Sequence, residues 1–269
     1  MSDSTNEFNQ VPVVILCGGN GIMLNERQNQ RVNKGLIEVH GKPLFLWVMH
    51  HYALHGASEF ILATGFQSDK FGSALEAAGA RINTDKPGCY DIMIAKITCS
   101  VRIVSTILNA TTAERLLACK SWLDQAKNFS VSYSDTLSDI DLSAEIIFHK
   151  SQNVVATLVS TRLPVRFRIL GIRAGETLVR AFASRPVIES AKINGGYYIF
   201  TNALWKYIYG LEKLIALEGQ PLERLAAAAQ LTAFKHSGRW QSCDAERDLV
   251  ELEEIAVYLD SMTNQLIKS

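Results

Sequence analysis

Val13-Val14-Ile15-Leu16-Cys17 is an unbroken apolar run that stops at Gly18-Gly19-Asn20-Gly21. A strand with one wet face alternates apolar with polar residues, so a continuous run predicts a strand buried on both faces and ended by a turn. The segments EFILAT (residues 59–64) and VVATLV (154–159) predict two more of the same kind. From Gly18 to about Gly35 the chain is polar and without period, and so long an irregular stretch in a compact domain predicts a functional segment. A short strand is expected over residues 36–39. Pro43-Leu44-Phe45-Leu46-Trp47-Val48-Met49 opens an amphipathic helix, with proline in its first turn and Gly56 beyond its end. Ser68 and Asp69 can cap a helix running toward Gly79.

Farther along, strands are predicted over residues 92–98, 101–104 and 129–134, the last broken by Asp135-Thr136. A helix over 112–127 should turn Leu116, Leu117 and Trp122 inward. A helix over 144–150, two strands around Ala174-Gly175-Glu176 within 166–182, and a strand over 193–200 follow. Helices over 203–217 and 221–230, a strand over 232–235 and a terminal helix from about Ala245 complete the chain. Strands alternating with helices predict an α/β fold on a largely parallel, doubly wound sheet. No repeat or linker interrupts residues 11–269, which read as one domain behind a frayed polar tail of residues 1–10.

The chain has 269 residues, 48% hydrophobic and 20% charged, which excludes disordered, collagenous and disulfide-scaffold classes. Its 27 Lys and Arg balance 27 Asp and Glu, so no global field draws in nucleic acid or an anionic membrane. A polyanionic ligand must therefore be held by local groups. Cys17, Cys89, Cys99, Cys119 and Cys243 are scattered without zinc-like spacing and are expected as buried reduced thiols. The tail lacks the basic-then-apolar order of a signal peptide, and no stretch approaches the ~20 apolar residues of a membrane span. A cytoplasmic protein is the expectation.

Gly18, Gly19 and Gly21 follow a buried strand at its carboxyl end, where glycines let backbone N–H groups approach phosphate oxygens. They are equally compatible with a tight turn, and fit neither the P-loop nor the dinucleotide fingerprint. Asp135, directly after a strand, is placed to hold Mg²⁺ against a phosphate, or is a turn aspartate. Asp244 supplies a second metal ligand if the fold brings it beside Asp135. Lys34, Lys42, Arg115, Arg168, Arg185 and Lys192 stand at strand ends or turns from which they can reach phosphate, or are solvated surface charges.

In this order and spacing the motifs resemble those of the sugar-1-phosphate nucleotidyltransferases, and most closely the glucose-1-phosphate cytidylyltransferases. Residues 14–21 (VILCGGNG) look like the family's strand and G-G-x-G loop, and residues 34–43 (KGLIEVHGKP) like its K-P-M-x-x-x-x-G-K-P segment. Residues 129–135 (FSVSYSD) look like the strand ending in the metal aspartate, with Asp139-Ile140-Asp141 as the following D-L-D. Segments 148–150, 193–198 and 238–244 continue the likeness. The resemblance implies the nucleotide-diphospho-sugar transferase fold, Rossmann-like and GT-A-like: three α/β/α layers around a mixed, mostly parallel sheet. It implies an Mg²⁺-dependent enzyme joining a nucleoside triphosphate, CTP above others, to a sugar 1-phosphate or related small phosphate, with a homo-oligomer expected. Under it, Leu16, Gly18, Gly19, Gly21, Arg115 and Ser134 would bind the nucleotide, and Asp135 and Asp244 the metal. Lys34 and Arg185 would be catalytic, and Asn194 and Arg168 would contact the substrate.

The departures are equally specific. The family's loop reads G-G-x-G-T-R-L and its arginine grips the triphosphate, whereas Met23 stands there in this chain. Losing one such donor typically lowers a rate ~10²–10³-fold, unless Arg27 or Arg31 compensates. The family's T-G-G-R is Thr112-Ala113-Glu114-Arg115, which sets a carboxylate near the anionic ligand, and its E-K-P is Ser184-Arg185-Pro186. Two other readings remain: a non-catalytic relative that binds a nucleotide, sugar phosphate or partner protein, and a transferase using Asp139-Ile140-Asp141 as a metal-binding D-x-D.

Overall fold

The computed structural model describes residues 7–19, 22–25, 30–162, 169–171, 175, 177–179, 181–183, 192–210 and 216–268. The first strand, β1 (Val13–Cys17), lies at the centre of a nine-stranded sheet. Its alternating side chains explain its unbroken apolar run: Val13, Ile15 and Cys17 enter one core layer, Val14 and Leu16 the other.

Two short ribbons follow, β2 (Ile22–Asn25) with β3 (Gln30–Val32) and β4 (Glu38–Val39) with β5 (Lys42–Pro43). The chain continues through α1 (Leu44–Leu54), β6 (Glu59–Thr64), α2 (Ser68–Ala77), β7 (Arg81–Ile82), β8 (Cys89–Ile94), β9 (Ile97–Ser105) and α3 (Thr112–Ala118). Next come β10 (Asn128–Tyr133), β11 (Thr136–Ser138), α4 (Leu142–Gln152), β12 (Ala156–Arg162), β13 (Ile169–Gly171), β14 (Ala181–Ala183) and β15 (Lys192–Thr201). The last elements are α5 (Trp205–Ile208), α6 (Gln220–Ala227), β16 (Leu231–Lys235), β17 (Trp240–Ser242) and α7 (Leu249–Lys268).

The sheet order is β16-β12-β15-β10-β1-β6-β9-β8-β7. Strands β10, β1, β6 and β9 run parallel, while β15 is antiparallel to both β10 and β12. The chain leaves β1 toward β6 on one side and returns to β10 on the other. The crevice at the carboxyl ends of β1 and β10 is therefore a topological switch point, where open α/β sheets bind ligands. Helices α1, α2, α4 and α7 contribute to one core layer, and α3, α5 and α6 to the other, giving the expected three-layer α/β/α arrangement.

Several boundaries differ from the pattern. Helix α1 is buried on every residue rather than amphipathic, because α7 covers the face turned from the sheet. His50 and His51 accordingly bond to Thr263 and to the Ile140 carbonyl, and burial pulls their pKa values down to about 4 and about 3. Helix α3 stops at Ala118 and Trp122 is 44% exposed, because a 3₁₀ turn over Lys120–Trp122 sends Leu123 inward in its place. The expected strand over residues 92–98 is a hairpin: Ala95 and Lys96 both adopt positive φ (46° and 66°), a turn that no glycine or asparagine announces. Among the described residues of the expected helix over 203–217, α5 and a preceding 3₁₀ turn are helical and end before Gly210 at φ 73°. Among the described residues, no helix is long and apolar enough to cross a membrane.

Glu145 of α4 is fully buried and neither carboxyl oxygen has a hydrogen-bond partner, so burial raises its pKa from 4.5 to about 8. The folded chain thus keeps a proton that the unfolded chain releases, and this group makes stability fall as pH rises from about 4.5 to about 8 and then level off. Glu145→Gln should remove that fall. Urea unfolding at pH 5 and pH 8 checks it: the variant's stability relative to the wild type must increase toward pH 8.

Candidate active site

A cleft of about 520 Å³ opens at the switch point. Leu16, Gly18 and Gly19 at the end of β1 form one side, Tyr133, Ser134 and Asp135 at the end of β10 another, and residues 108–112 a third. Asn33 and Lys34 project in from the turn after β3.

The two candidate metal aspartates are brought together by a ribbon. Strand β11 begins one residue after Asp135, β17 ends two before Asp244, and the pair is antiparallel with Thr136 opposite Ser242. The Cys243 N–H donates to the Asp135 carbonyl at 2.9 Å and carries the ladder one step farther. Both carboxylates then meet the Lys34 ammonium, whose Nζ lies 3.3 Å from Asp135 Oδ2 and 2.8 Å from Asp244 Oδ1. Burial works against the lysine's charge, but the two carboxylates outweigh it and raise its pKa. Burial and the nearby Asp244 likewise raise the pKa of Asp135, which Lys34 only partly offsets. Two carboxylates drawn to one point suit a divalent cation. Among the described residues no cluster of three or more His, Cys, Asp and Glu side chains could hold a metal. Two carboxylates completed by ligand oxygens is the arrangement Mg²⁺ favours.

Asn33, which the sequence did not single out, seats Lys34. Its Nδ2 donates to the carbonyls of Cys17 (2.7 Å) and Phe66 (2.9 Å), while its Oδ1 accepts the Gly35 N–H at 3.0 Å. The turn is thereby tied to the ends of β1 and β6. A Cβ on Gly35 would lie 2.7 Å from Ser134 Oγ, so glycine lets the turn close onto the Asp135 loop. An asparagine immediately before the motif lysine was the only signal available.

Arg115 lines the cleft, as expected, but its guanidinium turns to the protein. It is 4% exposed and donates to the carbonyls of Thr64 (3.1 Å), Gly18 (2.7 Å) and Leu108 (3.1 Å), and to Thr106 Oγ1. A Cβ on Gly18 or Gly65 would fall on this guanidinium, so both glycines serve the arginine. Glu114 does not line the cleft: it accepts the Thr111 N–H at 2.7 Å in a capping box that starts α3. Asn194 lies in β15 outside the cleft lining, its amide held by the Gly196 N–H at 3.0 Å and by Tyr198 Oη. The D-x-D reading is not supported, since Asp139 accepts the Arg239 N–H at 2.7 Å and Asp141 the Ala144 N–H at 2.9 Å as the α4 N-cap. Gly21, Arg27, Arg168 and Arg185 lie outside the described residues. The β2–β3 register sets Arg31 directly opposite Met23.

No protein-family model matches the chain. It is 31% identical over 257 residues to the glucose-1-phosphate cytidylyltransferase of Salmonella typhimurium, covering 89% of this chain and 93% of the relative. It is 25% identical over 257 residues to the mannose-1-phosphate guanyltransferase of Yarrowia lipolytica, covering 94% of this chain and 65% of that one. Among solved structures, HddC from Yersinia pseudotuberculosis complexed with GMP-PN superposes with a TM-score of 0.63 at 17% identity, covering 91% of this chain and 98% of that one.

The Arg115 contacts predict a structural phenotype. Arg115→Met takes the guanidinium donor from the Gly18 and Leu108 carbonyls, while the Thr64 carbonyl keeps the Thr106 N–H and hydroxyl, and should lower unfolding free energy by roughly 3 kcal/mol. Thermal unfolding without ligand measures this; an unchanged midpoint would show the guanidinium is dispensable to the fold.

Proposed function

We propose, from the premise that the chain belongs to the sugar-1-phosphate nucleotidyltransferases, that it transfers a cytidylyl group from CTP to a hexose 1-phosphate with release of pyrophosphate. The observation that carries the reading is that Asp135 and Lys34 line the cleft at the β1/β10 switch point and that Asp244, outside the lining, meets the same Lys34 ammonium. The preference for CTP rests on the likeness to the Salmonella enzyme.

In this reading the sugar phosphate oxygen attacks the α-phosphorus in line and pyrophosphate leaves. No covalent enzyme intermediate is needed, so catalysis is positioning plus charge neutralisation. The Gly18-Gly19 backbone approaches the nucleotide, and Lys34 turns its ammonium to the phosphates. Asp135 and Asp244 would hold Mg²⁺, which when bound neutralises phosphate charge. Asn33 keeps the lysine turn docked while the side chain swings. Arg115 shapes the wall rather than gripping the ligand, and Arg185 and Asn194 remain assigned to the sugar phosphate by resemblance.

The cation missing at Met23 is supplied, in this reading, by Arg31. Directly opposed residues of an antiparallel pair share a face of the ribbon, and Arg31 is exposed three residues before Lys34.

Pyrophosphate release with Mg²⁺, each common nucleoside triphosphate and a panel of sugar 1-phosphates tests the assignment. Turnover should need both substrates, be fastest with CTP, and fall at least ~10³-fold in Asp135→Asn. Tight nucleotide binding without turnover for any pair would instead favour the non-catalytic relative. Arg31→Ala should lower kcat/KM ~10²-fold, with Met23→Arg restoring activity in that background; an unaffected Arg31→Ala enzyme would place the compensating charge elsewhere.

A further inference from the structure

The β11–β17 ribbon that aligns the two carboxylates is only three residue pairs long. So short a two-stranded ribbon is marginal by itself. A slip of one residue would shift Asp244 along Asp135 by about 3.3 Å, while Mg²⁺ demands ligands at roughly 2.0–2.1 Å. Something beyond the ladder must hold the register.

The end of the ribbon away from the cleft carries a closed polar cluster. Asp139 and Arg239 exchange bonds: the Arg239 N–H donates to Asp139 Oδ1 at 2.7 Å, and the Asp139 N–H to the Arg239 carbonyl at 3.2 Å. His236 Nε2 lies 3.1 Å from Asp139 Oδ1, 3.1 Å from the Arg239 carbonyl and 3.2 Å from Ser138 Oγ. Ser138 Oγ gives its own proton to the Arg239 carbonyl at 2.7 Å. Nε2 thus faces a carboxylate, a carbonyl and a hydroxyl whose proton is already committed, so it must carry the ring proton and donate. A Cβ on Gly238 would fall on Asp139 Oδ1, so glycine there gives the carboxylate its seat.

Ser138, His236 and Asp139 have the composition of a hydrolytic triad without its geometry. Serine and aspartate address the same ring nitrogen, whereas a triad uses one nitrogen for each, and Ser138 is fully buried. We propose that Asp139, seated by His236, is a positioning residue that fixes the spacing of Asp135 and Asp244 through the ribbon. The proposal rests on the reading of those two carboxylates as the cation site.

Mn²⁺ binding followed by electron paramagnetic resonance, with thermal unfolding of each variant alongside, tests it. Asp139→Ala should weaken Mn²⁺ binding ~10–100-fold, the usual effect of removing a group that orients metal ligands. Asp139→Asn retains the acceptor for the Arg239 N–H and should stay within about threefold of the wild type, and nucleotide affinity without cation should not change in either. If Asp139→Ala does not fold, His236→Ala should show the same selective loss of Mn²⁺. A folded Asp139→Ala with wild-type Mn²⁺ affinity overturns the positioning role alone, provided Asp135→Asn abolishes binding. If the wild type binds no Mn²⁺, or Asp135→Asn binds it unchanged, the cation-site reading fails and the positioning role with it.

Discussion

Two carboxylates that meet at the Lys34 ammonium organise one end of this molecule's cleft. Asp135 and Asp244 are far apart in sequence, and like charges repel in a partly buried setting unless a cation stands between them. Lys34 supplies one such charge, and each of the three groups arrives by a different route. The parallel sheet delivers Asp135 to the end of β10, the β11–β17 ribbon folds Asp244 back beside it, and the Asn33 brace presents Lys34 from the turn after β3. The meeting of two carboxylates beside an ammonium is what suits this place to a divalent cation and a phosphate.

Much of the scaffold was legible in the sequence because it rests on hydrophobic periodicity. Strands β1 and β6 fall where the apolar runs lie, since both faces of each are buried. Elements whose limits depend on turn chemistry were harder. The Ala95-Lys96 hairpin uses positive φ without glycine, α3 ends where a 3₁₀ turn redirects Leu123, and α1 is buried all round because α7 packs over it from the far end of the chain. None of these long-range or backbone effects leaves a periodic trace.

The candidate site was legible as a set of residues but not as a set of roles. Asp135, Lys34, Leu16, Ser134, Gly18 and Gly19 line the cleft, as their motifs implied, and Asp244 meets Lys34 at its edge. Arg115 is there too, yet its donors are occupied by three carbonyls and a hydroxyl, and Glu114 is taken up by a helix cap. A sequence gives the charge of a residue, whereas its role follows from which partners surround it. With zero net charge overall, the chain offers a triphosphate little beyond local cations. Arg115 is turned to the protein and Lys42 to Asp260 and Trp47, which places more of the burden on Lys34 and on whatever cation the two aspartates hold.

The most direct test is the anomalous scattering of Mn²⁺ in crystals grown with a non-hydrolysable CTP analogue. One strong peak is expected within bonding distance of both Asp135 and Asp244, with a phosphate oxygen completing its shell and Lys34 Nζ on the phosphates. A peak at Asp139 or Asp141, or nucleotide bound in the cleft with no metal at the paired carboxylates, would contradict it.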